Sequence, residues 1–221
     1  MQEIAMDSFN TIISFMQEGG VFMYPIMIVL ALGIAIAIER YIFLRSSESA
    51  SRKTWEELLP YLNKGNYAKA IEATSASDTP IAKILNYGLA RMGSTRRRSD
   101  IETAMDEGLM EVTPRLERRT HYLATYANIA TLLGLLGTIV GLIQAFTAVS
   151  NADPAEKAAL LSSSIAVAMN TTAFGLIVAI PLLLIHTVLM TKTTDIIDNL
   201  EMASVKFLNI IVGHTGTSED K

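Results

Sequence analysis

Residues 120–152 contain no charged side chain, and residues 158–191 contain none either when histidine is counted as neutral. About 20 such residues cross a ~30 Å hydrocarbon layer as a helix, so runs of 33 and 34 should form helices that protrude beyond it. A third uncharged run, residues 19–38, has the length of one span, with Pro25 in its first turns. Half of the 221 residues are hydrophobic and they are concentrated in these blocks, which predicts an integral membrane protein rather than a soluble domain. The expected fold is all-α, with three transmembrane helices.

Charge placement sets the expected topology. All 18 Lys and Arg residues lie at or after Arg40, and 13 of them fall within residues 45–119. That bias marks the segment as cytoplasmic. The predicted organisation is an outer interfacial helix over residues 1–18, a first transmembrane helix over 19–44 and a cytoplasmic helical loop domain over 45–119. A second transmembrane helix over 120–150, an outer turn over 151–157, a third transmembrane helix over 158–190 and a cytoplasmic C-terminal helix and tail over 191–221 complete it. The first residues carry acids and no basic n-region, which predicts a retained first span rather than a cleaved leader. The absence of cysteine excludes a disulfide framework and thiolate metal sites.

Within the loop segment, residues 55–62 read as a short amphipathic helix ending near Gly65. Asn66 should cap a helix reaching Ala73, and Thr79 with Pro80 should open one that stops at Gly93. Ser99 and Glu102 form a capping-box pattern ahead of Ile101, Met105, Leu109, Val112 and Leu116, a stripe that continues into the second span and predicts one long helix, bent at Pro114. The tail should continue the third span as a helix through Phe207 before GHTGTSEDK frays. Arg96, Arg97 and Arg98 are a solvated or phospholipid-facing patch, and Asp100, Glu102, Asp106 and Glu107 an exposed acidic face or a partner surface. Glu39 and Arg40, at the end of the first span, are expected in a structural role at the interface.

The candidate chemistry lies in the second and third spans. Residues 129–146 read IATLLGLLGTIVGLIQAF and residues 165–181 read IAVAMNTTAFGLIVAIP. Gly134, Gly137 and Gly141, and Gly175 in the third span, are small residues that let helix backbones approach closely. Thr138 and Thr172 lie within three residues of the midpoints of their uncharged runs. A lone threonine can return its hydroxyl to the carbonyl one turn back. Asn170 at that depth must find a partner or water, so Asn170, Thr171, Thr172 and Thr138 are candidates for lining a polar path, with interhelical bonding as the alternative. None of the three spans has Asp, Glu, Lys or Arg at its middle, and His186 sits near an end. A proton relay therefore needs an acid from another chain. His121, His186 and His214 are far apart in sequence and show no metal spacing. No nucleotide-binding or nucleophile-elbow motif is present, so the chain is not expected to be an enzyme and needs no cofactor.

GLLGTIVGLIQAF resembles the second-span signature of the ExbB and TolQ subunits of the MotA/TolQ/ExbB family. IAVAMNTTAFGLIVAIP resembles their third span, and GGVFMYPIMIVLALGIAIAIER their first with its terminal Glu-Arg. The resemblance implies a multi-pass protein of the bacterial inner membrane, N-terminus periplasmic and C-terminus cytoplasmic, assembled as a homo-pentameric funnel. It implies an ExbD/TolR-like single-span partner whose aspartate takes the proton, and a TonB/TolA-like protein receiving the work. Thr138 and Thr172 match the family's pore threonines. Many members carry a glutamate where this chain has Val167. The Thr171-Thr172 pair resembles sodium-driven relatives, which makes Na+ the alternative to H+. The rivals are a flagellar MotA/PomA-like stator subunit, a type with four spans, and a non-conducting scaffold. No nucleic-acid partner is implied.

Overall fold

A computed structural model describes residues 20–95, 97–150 and 152–219, with side chains described as far as Ile211. The interfacial helix expected over residues 1–18 lies outside the described residues, as do Arg96 and Asn151. The described chain is helical: α1 Met23–Asn63, α2 Tyr67–Ser75, α3 Pro80–Met92, α4 Arg98–Glu117, α5 His121–Ser150 and α6 Lys157–Glu219. α1, α5 and α6 each carry an 18-residue window of mean hydropathy between 2.1 and 2.4, of which only 22–28% is buried. Helices with such bare apolar faces are stable in hydrocarbon, not in water. The protein is an all-α, multi-pass membrane protein.

Two compact units divide the chain. One draws on residues up to Ile38 and on Arg119–Thr187, the other on Glu39–Arg118 and on residues from Val188 onward. In the first, glycines set the spacing. A Cβ on Gly175 would lie 2.7 Å from the Ala130 carbonyl oxygen and 3.1 Å from the Gly134 Cα, so α5 and α6 touch backbone to backbone. Gly141 faces the Ala168 Cβ, and Gly33 of α1 faces the end of the Leu182 side chain.

The second unit is a water-type core. Leu44, Leu58 and Leu62 of α1, Ile81, Leu85 and Leu89 of α3, Ile101, Met105 and Leu116 of α4, and Phe207 of α6 are all buried. Gly88 and Gly108 admit the α3–α4 contact, since a Cβ at Gly108 would stand 3.0 Å from the Ile84 Cα. Glu48 accepts a 2.7 Å bond from Lys192, tying α1 to α6.

Several sequence expectations are corrected here. The segment over 55–62 is not a separate piece but the end of α1, because no glycine or proline interrupts residues 40–59. α1 then stops where predicted. Gly65 adopts φ +66, its N–H bonds the Leu62 carbonyl and the Asn66 N–H bonds the Tyr61 carbonyl, a glycine-terminated helix end. The single helix predicted from Ser99 into the second span is two helices, broken at residues 118–120. Pro114 removes one helical N–H, Arg118 is extended (φ −50, ψ 136) and Arg119 is left-handed (φ +66). Ser99 is not the N-cap, because α4 starts at Arg98. Instead the Thr95 hydroxyl donates to Asp100 and accepts from the Arg97 N–H. Asn66 and Thr79 cap as expected, accepting from the N–H groups of Lys69 and Ala82. α2 runs to Ser75, past Ala73, and α6 continues as helix to Glu219 through the stretch expected to fray.

Candidate functional site

α5 and α6 bring Thr138 and Thr172 into direct hydrogen bonding across the helix pair. Both hydroxyls also reach one backbone oxygen, the Gly134 carbonyl, at 3.1 Å from Thr138 and 2.9 Å from Thr172. The contact exists because Gly134 has no side chain: a Cβ there would stand 3.3 Å from the Thr172 Cα and the Thr171 carbonyl. The glycines therefore do more than pack helices. They let a hydroxyl of α6 reach a carbonyl of α5.

Two hydroxyl protons serve three oxygen–oxygen contacts. One arrangement has Thr138 donating to Thr172 and Thr172 to Gly134, and the other reverses the roles. Either way the cluster is neutral and satisfied, with hydroxyl lone pairs left over. Both threonines are half-buried, so these lone pairs belong to a partly open face. Such a cluster can accept a hydrogen bond or help solvate a small cation, but it has no group that stores a charge.

The other predicted residues divide. Thr171 is 2% exposed and returns its hydroxyl to the Val167 carbonyl at 3.0 Å, while its methyl packs on Gly137. Asn170 is half-buried and is not brought to the cluster, being two residues, or about 200° around the helix, from Thr172. Val167 packs beside Gly20, whose Cβ would stand 3.4 Å from it.

Glu39 and Arg40 behave differently from each other. Glu39 is exposed. Arg40 is 2% exposed, donates to the Leu116 carbonyl and stacks its guanidinium 4.8 Å over the Phe43 ring. Leu116 lies in the last turn of α4, where carbonyls have no helical partner, so a cation there satisfies the helix end.

Two features escaped the sequence reading. The Gly134 carbonyl is a shared acceptor, which only helix register reveals. His121 and His186, 65 positions apart, bring their rings to 6.2 Å between centroids. Among the described residues no three His, Cys, Asp or Glu side chains gather as a metal site.

Residues 76–202 match the MotA/TolQ/ExbB proton channel family. The chain is 31% identical over 199 residues to the ExbB homolog of Methanothermobacter thermautotrophicus, covering 88% of this chain and 68% of that one. It is 29% identical over 169 residues to the biopolymer transport protein exbB1 of Vibrio cholerae, covering 75% and 73%. Similarity to the Tol-Pal system protein TolQ of Haemophilus influenzae is 34% over 93 residues, covering 42% and 40%.

Proposed function

Because this chain belongs to the MotA/TolQ/ExbB proton channel family, we propose that it is the channel-lining stator subunit of an ExbB/TolQ-like motor driven by ion-motive force. The observation that carries the proposal is the neutral Thr138–Thr172–Gly134 cluster, set between spans that hold no acid of their own. A wall of hydroxyls completes an ion path when a single-span ExbD/TolR-like partner supplies a membrane aspartate. On this reading copies of the chain, five in number, surround the partner in the bacterial inner membrane. The N-terminus is periplasmic and the basic segment cytoplasmic, in keeping with the charge bias. The work reaches a TonB/TolA-like protein and through it the outer membrane. The chain acts without a cofactor and catalyses no covalent chemistry.

Protons are the proposed ion. Thr171 supports H+ over Na+, because its hydroxyl is turned back to Val167 and buried, and so is not offered beside Thr172 as a second coordinating oxygen. An elementary charge crossing 100 mV releases about 2.3 kcal/mol, enough to bias a step between packed helices. The test is Thr172→Val in the full complex, measured by ion flux into vesicles together with assembly on size-exclusion chromatography. The conducting reading expects flux to vanish while assembly persists. A valine variant with normal flux would refute the assignment of the Thr172 hydroxyl to the ion path and leave the threonines as bonds between helices.

A further inference from the structure

Asn170 is left out of the hydroxyl cluster, and its amide makes no hydrogen bond to any described residue. It stands two residues, about 3 Å along α6, from Thr172, near the middle of an uncharged run. Hydrocarbon offers an amide no partner, and a polar group left unpaired there is costly. An amide at that depth calls for another helix.

Its place on α6 decides which helix. Ala168, Thr172 and Gly175 meet α5, and Asn170 lies about 160° around α6 from Thr172. Ala166 and Ala173, one turn to either side of Asn170, share its face and are exposed. The three form a shallow groove on the side of α6 turned away from its own α5. A matching ridge lies on the far side of α5. Leu136, Ile139 and Ile143, spaced three and four apart, are 44–60% exposed, and Leu136 is about 200° around from Gly134. Groove and ridge stand at one depth. Asn170 is midway between Ala168 and Thr172, whose α5 partners are Gly141 and Gly134, so it is level with the turn that carries Leu136 and Ile139. Ala166 is two residues beyond Ala168 as Ile143 is two beyond Gly141, which makes those two level as well.

Within one chain the groove and the ridge face apart, with two helix backbones between them. In the proposed ring, on which this inference rests, α5 and α6 both line the path. The spans then alternate, and each α6 stands between its own α5 and that of the next copy. Rotation about the membrane normal keeps every residue at its depth. We propose that the Ala166–Asn170–Ala173 groove receives the Leu136–Ile139–Ile143 ridge of the neighbouring copy, small residues admitting bulky ones. The Asn170 amide donates to a main-chain carbonyl of that ridge, since a helical carbonyl keeps a second lone pair. The bond from Thr172 to the Gly134 carbonyl is the same arrangement inside one chain. Asn170 joins copies and takes no ion.

Because the chain has no cysteine, a pair can be introduced on a clean background. The test is oxidation of full-length Ile143→Cys/Ala166→Cys protein in native membranes, read on non-reducing gels. Each copy carries both halves of the contact, so the ladder should climb past the dimer, while either single variant should stay monomeric. No ladder from the double variant, with wild type that assembles on size-exclusion chromatography, would overturn the contact and leave the motor reading standing. Wild type that never assembles would overturn both. Dimers from Ala166→Cys alone would overturn it in favour of α6 meeting α6. For the amide, Asn170→Leu should weaken association of copies about 3-fold to 18-fold per contact, the range for polar bonds between membrane helices. Asn170→Gln should restore part of the loss. Unchanged association in Asn170→Leu would overturn the role of the amide.

Discussion

Replacing Gly175 by alanine is the sharpest test of how the hydroxyl cluster is built. The added Cβ would lie 2.7 Å from the Ala130 carbonyl oxygen, whereas ordinary contact begins near 3.4 Å. The obstacle is backbone, which no rotamer change relieves, so α6 must move away from α5 by about 0.7 Å. Added to the 2.9 Å bond from Thr172 to the Gly134 carbonyl, that displacement gives roughly 3.6 Å, outside hydrogen-bond range. The expected cost is about 1–3 kcal/mol from overpacking, with a further ~1 kcal/mol for the lost bond. Gly33→Ala is the internal control. Its Cβ also overlaps a neighbour, at 2.6 Å, but that neighbour is the end of the flexible Leu182 side chain, which can turn aside. Thermal denaturation in detergent, followed by size-exclusion chromatography, should place Gly175→Ala well below both wild type and Gly33→Ala. On the proposed function, ion flux should fall for Gly175→Ala alone. Equal midpoints for the two variants would refute the claim that backbone contact between α5 and α6 holds the site.

Other consequences are as direct. Arg40→Ala should destabilise the second unit by about 1.5–3 kcal/mol, the range for a hydrogen bond to a charged group, read as a lowered melting temperature. Arg40→Lys should recover only part of it, since an ammonium cannot both reach Leu116 and stack on Phe43. Gly65→Ala should cost about 1–2 kcal/mol, because φ +66 places its Cβ against the following carbonyl. Thr79→Ala removes the cap of α3 and should cost about 1 kcal/mol, whereas Ser99→Ala, at a position that does not cap, should be nearly silent in the same denaturation assay.

What the sequence made legible follows from which forces are local. Three apolar runs, the Asn66 and Thr79 caps and the stop at Gly65 are properties of short stretches, and each stands where its residues predict. Continuity was harder. Residues 40–59 contain no breaker, so α1 runs on, although the change to polar composition suggests an end. The reverse holds near Pro114, where an unbroken apolar stripe conceals a break whose helix end is satisfied by Arg40, 76 positions away. Pairing was legible only in part. Thr138 and Thr172 stand out by depth, but nothing local says that their common partner is the Gly134 carbonyl, or that Asn170 is turned from them. Arg40 is the clearest case of a long-range cause: an arginine at the end of a span suggests snorkelling, and burial against Leu116 is visible only in the fold.

The neutrality of the cluster bears on how the proposed motor would work. A carboxylate in the middle of a span costs about 2.5–3.5 kcal/mol to insert, and it stays occupied by a proton or a counter-ion. Two hydroxyls already bonded to each other and to Gly134 carry no such cost, and their satisfied state does not vary with pH in the physiological range. A wall of this kind presents the same surface to a partner's aspartate whether that aspartate is charged or protonated. Differences between the two states then arise from the partner's acid alone. A stator wall with its own carboxylate would titrate alongside that acid. In this chain, whose spans hold no Asp or Glu at their middles, the pH dependence of flux should show one carboxyl transition, and a second would place an acid of this chain in the path.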